Sequence, residues 1–223
     1  LENEVQVQKE QWLTRIRQTG IVPVLRAPSK QAGMQLAEAI TAGGIDILEV
    51  TMTVPGAIEI IAQLRKEHPE LLVGAGTVLD PETAHACIEE GAQFVVSPAL
   101  NIATIEACLK AGVLIFPGAL TPTEIVTAWQ AGGDVIKVFP ASAMGGASYL
   151  KSIKAPFPEI QLIPTGGVSL TTAKDFLAAG AIALGVGADL CDVNALSQGR
   201  SEKITELARA YRQIVAEARS AAS

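Results

Sequence analysis

The sequence predicts an α/β protein, a single (β/α)8 barrel with an extra N-terminal helix. Three observations predict it. Short runs that are apolar almost throughout recur along the chain, as they do in parallel strands covered on both faces. Stretches with helical spacing and helical punctuation separate them. The repeat unit, measured between strand starts, is about 20 to 27 residues, the size of one βα unit. Eight such units favour closure over an open doubly wound sheet, and 223 residues fit one barrel, for which about 250 is usual.

The elements follow in order. Residues 1–20 read as a helix, with Val5, Trp12, Leu13 and Ile16 on one face. The apolar runs lie at residues 22–25, 45–51, 71–74, 94–97, 114–117, 135–139, 161–164 and 183–186. Ser29 can cap the helix after the first run, and Gly43-Gly44 ends it. Asp80-Pro81-Glu82 is an N-cap followed by an N1 proline, and Thr121-Pro122-Thr123-Glu124 repeats that logic before Ile125. Helices finish on a common pattern, as in Ala111-Gly112-Val113 and Ala179-Gly180-Ala181. The chain closes with a helix over 201–220, whose apolar face carries Ile204, Leu207, Ala208, Tyr211, Ile214, Val215 and Ala218. No linker, low-complexity tract or charge block divides 1–223, so one domain is expected, with the barrel motifs in 21–190.

Bulk composition removes several classes. A net charge of −6 argues against a nucleic-acid or anionic-membrane surface. No apolar run approaches the roughly 20 residues of a membrane span. The first residues, Leu1-Glu2-Asn3-Glu4, lack the basic and apolar regions of a signal peptide. Cys87, Cys108 and Cys191 are odd in number and widely spaced, and read as free thiols in a reducing cytoplasm. His68 and His85 belong to no cluster with metal-ligand spacing, so no metal and no cofactor are expected.

Chemistry is read from the ends of the runs, because barrel sites sit at the C-terminal ends of strands. Lys137, in Val135-Ile136-Lys137-Val138-Phe139-Pro140, is the one lysine inside an apolar strand-like run. An ammonium in such surroundings must be paired, snorkelled or deprotonated, and a neutral amine is a nucleophile toward carbonyls. Glu49 is a similar misfit between Leu48 and Val50. With Arg26 at the end of the first run, the strand ends hold an anion clamp, an acid/base and a nucleophile: a set able to work on a small-molecule keto acid. A buried structural ion pair is the bland alternative for Lys137 and Glu49. Thr165-Gly166-Gly167 and Gly185-Val186-Gly187-Ala188 follow the seventh and eighth runs, where backbone N–H groups can meet a phosphate. Gly74-Ala75-Gly76-Thr77 is ambiguous; it lacks the third glycine and the acidic residue of a dinucleotide fingerprint.

These motifs together resemble the 2-keto-3-deoxy-6-phosphogluconate aldolase family, which includes 4-hydroxy-2-oxoglutarate aldolases. The resemblance runs from about Ile21 to Leu190 through Val22-Pro23-Val24-Leu25-Arg26, Leu48-Glu49-Val50-Thr51, Val73-Gly74-Ala75-Gly76-Thr77-Val78, Val96-Ser97-Pro98, Ile136-Lys137-Val138-Phe139-Pro140 and Pro164-Thr165-Gly166-Gly167-Val168. It implies a class I aldolase on a (β/α)8 barrel, commonly a homotrimer. Such an enzyme splits a sugar acid phosphate into pyruvate and glyceraldehyde 3-phosphate, and some members split 4-hydroxy-2-oxoglutarate into pyruvate and glyoxylate. It further implies Lys137 as the Schiff-base lysine and Glu49 as proton shuttle through a bound water. Thr77 and Pro98 would line the pyruvate pocket, Phe139 would pack beside the lysine, and Thr165, Gly166 and Gly167 would meet the distal hydroxyls and phosphate. Two positions depart from the family pattern. Some members hold the pyruvate carboxylate with an arginine four residues after the glutamate, where this chain has Thr53; others use the end of the first strand, where it has Arg26. Ala188 stands where related sequences often place a serine, which leaves one fewer donor for phosphate and keeps unphosphorylated substrates in view. The rival readings are a metal-free phosphosugar isomerase or epimerase, and a non-catalytic keto-acid binding protein.

Overall fold

The computed structural model describes residues 2–220; Leu1 of the expected N-terminal segment and residues 221–223 lie outside it. Helix α1 (Glu2–Thr19) precedes an alternation of short strands and helices. The strands are β1 (Ile21–Leu25), β2 (Ile47–Thr51), β3 (Leu72–Gly76), β4 (Phe94–Val96), β5 (Leu114–Phe116), β6 (Gly118–Ala119), β7 (Ile136–Val138), β8 (Leu162–Pro164) and β9 (Leu184–Val186). The helices between them are α2 (Lys30–Ala42), α3 (Ala57–Glu67), α4 (Pro81–Glu89), α5 (Ile102–Ala111), α6 (Pro122–Gln130), α7 (Ala147–Lys154), α8 (Ala173–Ala178) and α9 (Val193–Ser197), and α10 (Ser201–Ser220) ends the chain.

All the ladders are parallel. One sheet has the order β5-β4-β3-β2-β1-β9 and the other β6-β7-β8. Backbone bonds join the two at both seams. The Asp134 N–H donates to Ile115 O and the Lys137 N–H to Pro117 O; across the other seam Ile182 N–H donates to Leu162 O and Thr165 bridges Gly185. The fold is thus α/β with a curled parallel sheet. The apolar run at 114–117 is β5 only as far as Phe116; Pro117 has no N–H to continue the ladder, and a separate strand, β6, starts beyond it at Gly118. The run at 71–74 extends as β3 to Gly76, two residues further than its apolar side chains mark.

Capping follows the sequence signals. The side chains of Ser29, Asp80 and Asn101 accept from the third residue on, and Thr121 with Glu124 forms a full capping box. Two apolar layers result. One lies between sheet and helices, with Leu25, Leu48, Val50, Ile61, Val73 and Ile136 among its members. The other fills the concave face, where Val22, Ile47, Leu72, Phe94, Leu114, Val135, Ile163 and Ala183 meet Leu13 and Ile16 of α1. Helix α1 therefore covers the N-terminal ends of the strands. It is fastened there by a Lys9–Asp134 ion pair of 3.0 Å and by Arg15 and Thr19 bonding Asp46.

Candidate active site

Strand periodicity puts the unusual side chains on one layer. Successive side chains alternate faces, so the residue two beyond an inward-facing position faces inward too. Ile47 and Val135 belong to the concave apolar layer; two residues on are Glu49 and Lys137. The same step from Phe94 gives Val96, from Leu114 gives Phe116, from Ile163 gives Thr165 and from Ala183 gives Gly185. The layer therefore mixes apolar packing with one acid, one amine and one hydroxyl.

Lys137 is 3% exposed and Glu49 2%. Lys137 Nζ lies 3.7 Å from Glu49 Oε1, an ion-pair distance too long for a direct hydrogen bond, and Oε1 has no hydrogen-bond partner. Burial pushes the Glu49 carboxyl above the usual carboxylate range; the positive charges of Lys137 and Arg26 oppose that push without cancelling it. A carboxyl in this state can hold a proton at pH values where an exposed one has lost it. The Lys137 amine also lies 5.5 Å from the centre of the Phe139 ring.

The neighbours explain how the layer is held. A side chain at Gly76 would place its Cβ 2.1 Å from Glu49 Oε1, so this glycine makes the room that Glu49 occupies. Gly74 clears space for the Phe94 ring in the same way, which resolves the ambiguous Gly-Ala-Gly-Thr motif into packing demands. Thr77 follows at φ +58°, a conformation costly for a β-branched residue and of the kind that collects at functional sites, at roughly 1–3 kcal/mol. Pro98 lies two residues past the end of β4, and its carbonyl is packed against Gly118 so closely that any side chain at 118 would strike backbone. Ser97, buried, donates to Ala99 O at 2.8 Å and accepts from the Gly118 N–H at 3.3 Å. Ser97, Gly76 and Gly118 are supports; in the sequence they stand only at strand ends and in motifs, with no such role assigned.

Arg26 leaves the end of β1 with its side chain exposed. Thr53, where the sequence suggested a missing clamp, is engaged elsewhere. Its hydroxyl is 2.7 Å from that of Thr51, which itself donates to Leu25 O. With the Thr51 proton so used, Thr53 is the donor between them.

The distal loops are adjacent. Thr165 is buried; its N–H donates to Val138 O and its carbonyl accepts from Ala141 N–H. Gly185 sits against the Thr165 hydroxyl, at 2.1 Å from where a Cβ would stand, so the loop after β9 lies directly beside the loop after β8. Gly166 and Gly167 have φ of +90° and +76°, which only glycine adopts at little cost, and Ser142 closes over Gly167. Gly187 and Ala188 follow β9, with Ala188 exposed. A cleft of about 700 Å³ opens between the β2–α3 loop and α3, lined by Met52, Val54, Pro55 and Glu59 among others, not by Lys137 or Glu49. Among the described residues, no three His, Cys, Asp or Glu side chains are grouped to hold a metal ion, and no helix is long and apolar enough to cross a membrane.

The model of the KDPG and KHG aldolase family matches residues 13–207. The chain belongs to the KDPG and KHG aldolase family. It is 36% identical over 189 residues to a KHG/KDPG aldolase of Escherichia coli (strain K12), covering 85% of this chain and 89% of that one. It is 39% identical over 165 residues to a 2-dehydro-3-deoxy-phosphogluconate aldolase of Pseudomonas aeruginosa, covering 74% and 75%. Among solved structures it is similar to the KDPG aldolase of Legionella pneumophila with pyruvate captured at low pH as a covalent carbinolamine intermediate. That likeness has a TM-score of 0.84 at 32% identity, over 90% of this chain and 98% of that one.

Proposed function

We propose that the chain is a class I aldolase that cleaves 2-keto-3-deoxy-6-phosphogluconate to pyruvate and glyceraldehyde 3-phosphate through a Schiff base on Lys137, and also cleaves 4-hydroxy-2-oxoglutarate to pyruvate and glyoxylate. The observation that carries the reading is the buried amine and carboxyl 3.7 Å apart, with the carboxyl oxygen free of hydrogen bonds. A structural pair would be bonded; a reacting pair must leave room for the atoms that move.

In this reading Arg26 holds the carboxylate of the keto acid, since the Thr53 hydroxyl is committed to Thr51. The neutral amine of Lys137 adds to the C2 carbonyl to give a carbinolamine, and loss of water gives a protonated imine. Glu49 takes the C4 hydroxyl proton as the C3–C4 bond breaks, the bonding pair moving through C2 to the imine nitrogen. The aldehyde leaves, Glu49 returns a proton to C3 of the enamine, and hydrolysis frees pyruvate and the amine. Thr77 and Pro98 border the pyruvate end and Phe139 flanks the amine. Thr165, Gly166, Gly167, Gly187 and Ala188 receive the distal hydroxyls and phosphate. Ala188 offers a backbone N–H and no hydroxyl, which suits a site that also accepts an unphosphorylated acid.

The wider reading is one domain over 1–223, its two sheets closed as an eight-stranded barrel, with β5 and β6 counted as one strand and α1 as the extra N-terminal helix. The bonds at both seams support it. We also assign a cytoplasmic homotrimer: Leu79, Ile102 and Trp129, 59%, 39% and 40% exposed, are apolar surface for contact between copies. The three buried free thiols suit a reducing compartment. Light scattering coupled to gel filtration should give three times the chain mass; a monomer would remove the trimer.

The deciding experiment is reduction with borohydride in the presence of pyruvate, followed by digestion and mass mapping. A reduced pyruvyl adduct on Lys137 is expected. No adduct at a pyruvate concentration shown to bind would defeat the class I reading and revive an epimerase or a binding protein.

A further inference from the structure

The loop after β9 is gripped from outside the sheet by the last helix. Tyr211, on the buried face of α10, is fully buried, and its hydroxyl donates to the Asp189 carboxylate. A buried phenol needs a partner, and a charged acceptor makes the stronger bond. Burial first, and this bond second, push the Tyr211 hydroxyl to hold its proton, so it stays the donor. Asp189 directly follows Ala188. The loop is closed on itself, with the Leu190 and Cys191 N–H groups both donating to Gly187 O. A second grip lies just beyond: Asp192 caps α9 and pairs with Lys203 of α10 at 2.7 Å.

We propose that Tyr211 is a positioning residue: by holding Asp189 it fixes the β9–α9 loop for the distal phosphate and keeps a carboxylate turned away from that anion. The inference rests on the assignment of Gly187 and Ala188 to the distal end of the substrate. Without the bond, Asp189 is free to turn toward the phosphate, where its charge repels. 4-Hydroxy-2-oxoglutarate ends in a C5 carboxylate that does not reach the place of the C6 phosphate, so this device acts on it far less. Tyr211 thus tunes the choice between phosphorylated and unphosphorylated keto acids from outside the site.

The test compares wild type, Tyr211→Phe and Asp189→Asn on the phosphorylated acid and on 4-hydroxy-2-oxoglutarate. Pyruvate trapping on Lys137 serves as the control for a folded site. Tyr211→Phe should raise KM for the phosphorylated acid about tenfold. Its kcat, its KM for 4-hydroxy-2-oxoglutarate and its trapping should stay within about twofold. Asp189→Asn keeps an acceptor oxygen for the tyrosine and removes the charge, so it should stay near wild type on both substrates. An unchanged KM in Tyr211→Phe, or an equal rise for both substrates, overturns the proposal while leaving the aldolase reading intact. A wild-type enzyme that traps pyruvate but does not turn over the phosphorylated acid overturns the proposal together with the distal-site assignment.

Discussion

Two lysine–carboxylate pairs, one partly and one fully buried, lie at opposite ends of the strands, and they are built differently. At the N-terminal end, Lys9 meets Asp134 at 3.0 Å, and the second Asp134 oxygen accepts from the Ile115 N–H at 2.8 Å. Further along, Lys137 and Glu49 are 3.7 Å apart, more deeply buried, and Glu49 Oε1 bonds nothing. Burial raises both carboxyls, and in both the lysine opposes the rise. The difference lies in satisfaction. The first pair has its hydrogen bonds and ties a helix to a strand; the second keeps its bonding capacity open at a cost in stability.

That contrast sets the order of expected effects. Lys137→Ala should lower turnover at least about a thousandfold and abolish pyruvate trapping, with circular dichroism unchanged. Turnover within tenfold of wild type would make the pair merely structural. Glu49→Gln should cost about a hundredfold to a thousandfold in kcat and slow imine formation much less, read by single-turnover trapping. Equal loss in both steps would recast Glu49 as a support for the lysine. Gly76→Ala, which drives a methyl into the Glu49 carboxyl, should cost about tenfold to a hundredfold in kcat while leaving Glu49 in place chemically. Lys9→Met should be silent in trapping and cost about 1–3 kcal/mol in urea unfolding, since one partner of a partly screened pair is left behind.

The smallest effect is on pH dependence. The folded Glu49 pKa lies above its ordinary 4.5, so the folded state binds the extra proton. The stability this gives is fully present below pH 4.5 and is lost as pH rises through the folded value. In Glu49→Gln that decline should vanish, making the fall of stability shallower by up to about 1.4 kcal/mol per pH unit in that window. Urea midpoints taken across the window check it; identical slopes would mean that Glu49 titrates normally.

Much of the site was legible because charge in an apolar strand is conspicuous. Lys137 and Glu49 stand out in any reading of their runs, and period-two alternation then puts each on the face of its apolar neighbour. What was not legible is what spans the fold. That β2 and β7 bring the two side chains to 3.7 Å depends on the curl of the sheet, which no local pattern encodes. Gly76 reads as one glycine among many until Glu49 is seen against it. Tyr211 reads as one more apolar position on its helix, and its bond to Asp189 joins residues 22 apart in sequence. The strand runs themselves were visible from hydrophobicity alone, yet Pro117 cut one of them short and β3 outran its apolar stretch, because ladders follow hydrogen bonding and not side-chain type.

The helix laid across the N-terminal ends of the strands has a consequence for traffic. With Leu13 and Ile16 packed into the concave layer, that end is blind, and reactants pass through the opposite mouth alone. In the proposed reaction pyruvate stays bonded to Lys137 after the C3–C4 bond breaks, so the aldehyde leaves first and, in synthesis, pyruvate is loaded first. The chemistry sets that order; the plug, some distance from any reacting atom, leaves the aldehyde a single route in and out.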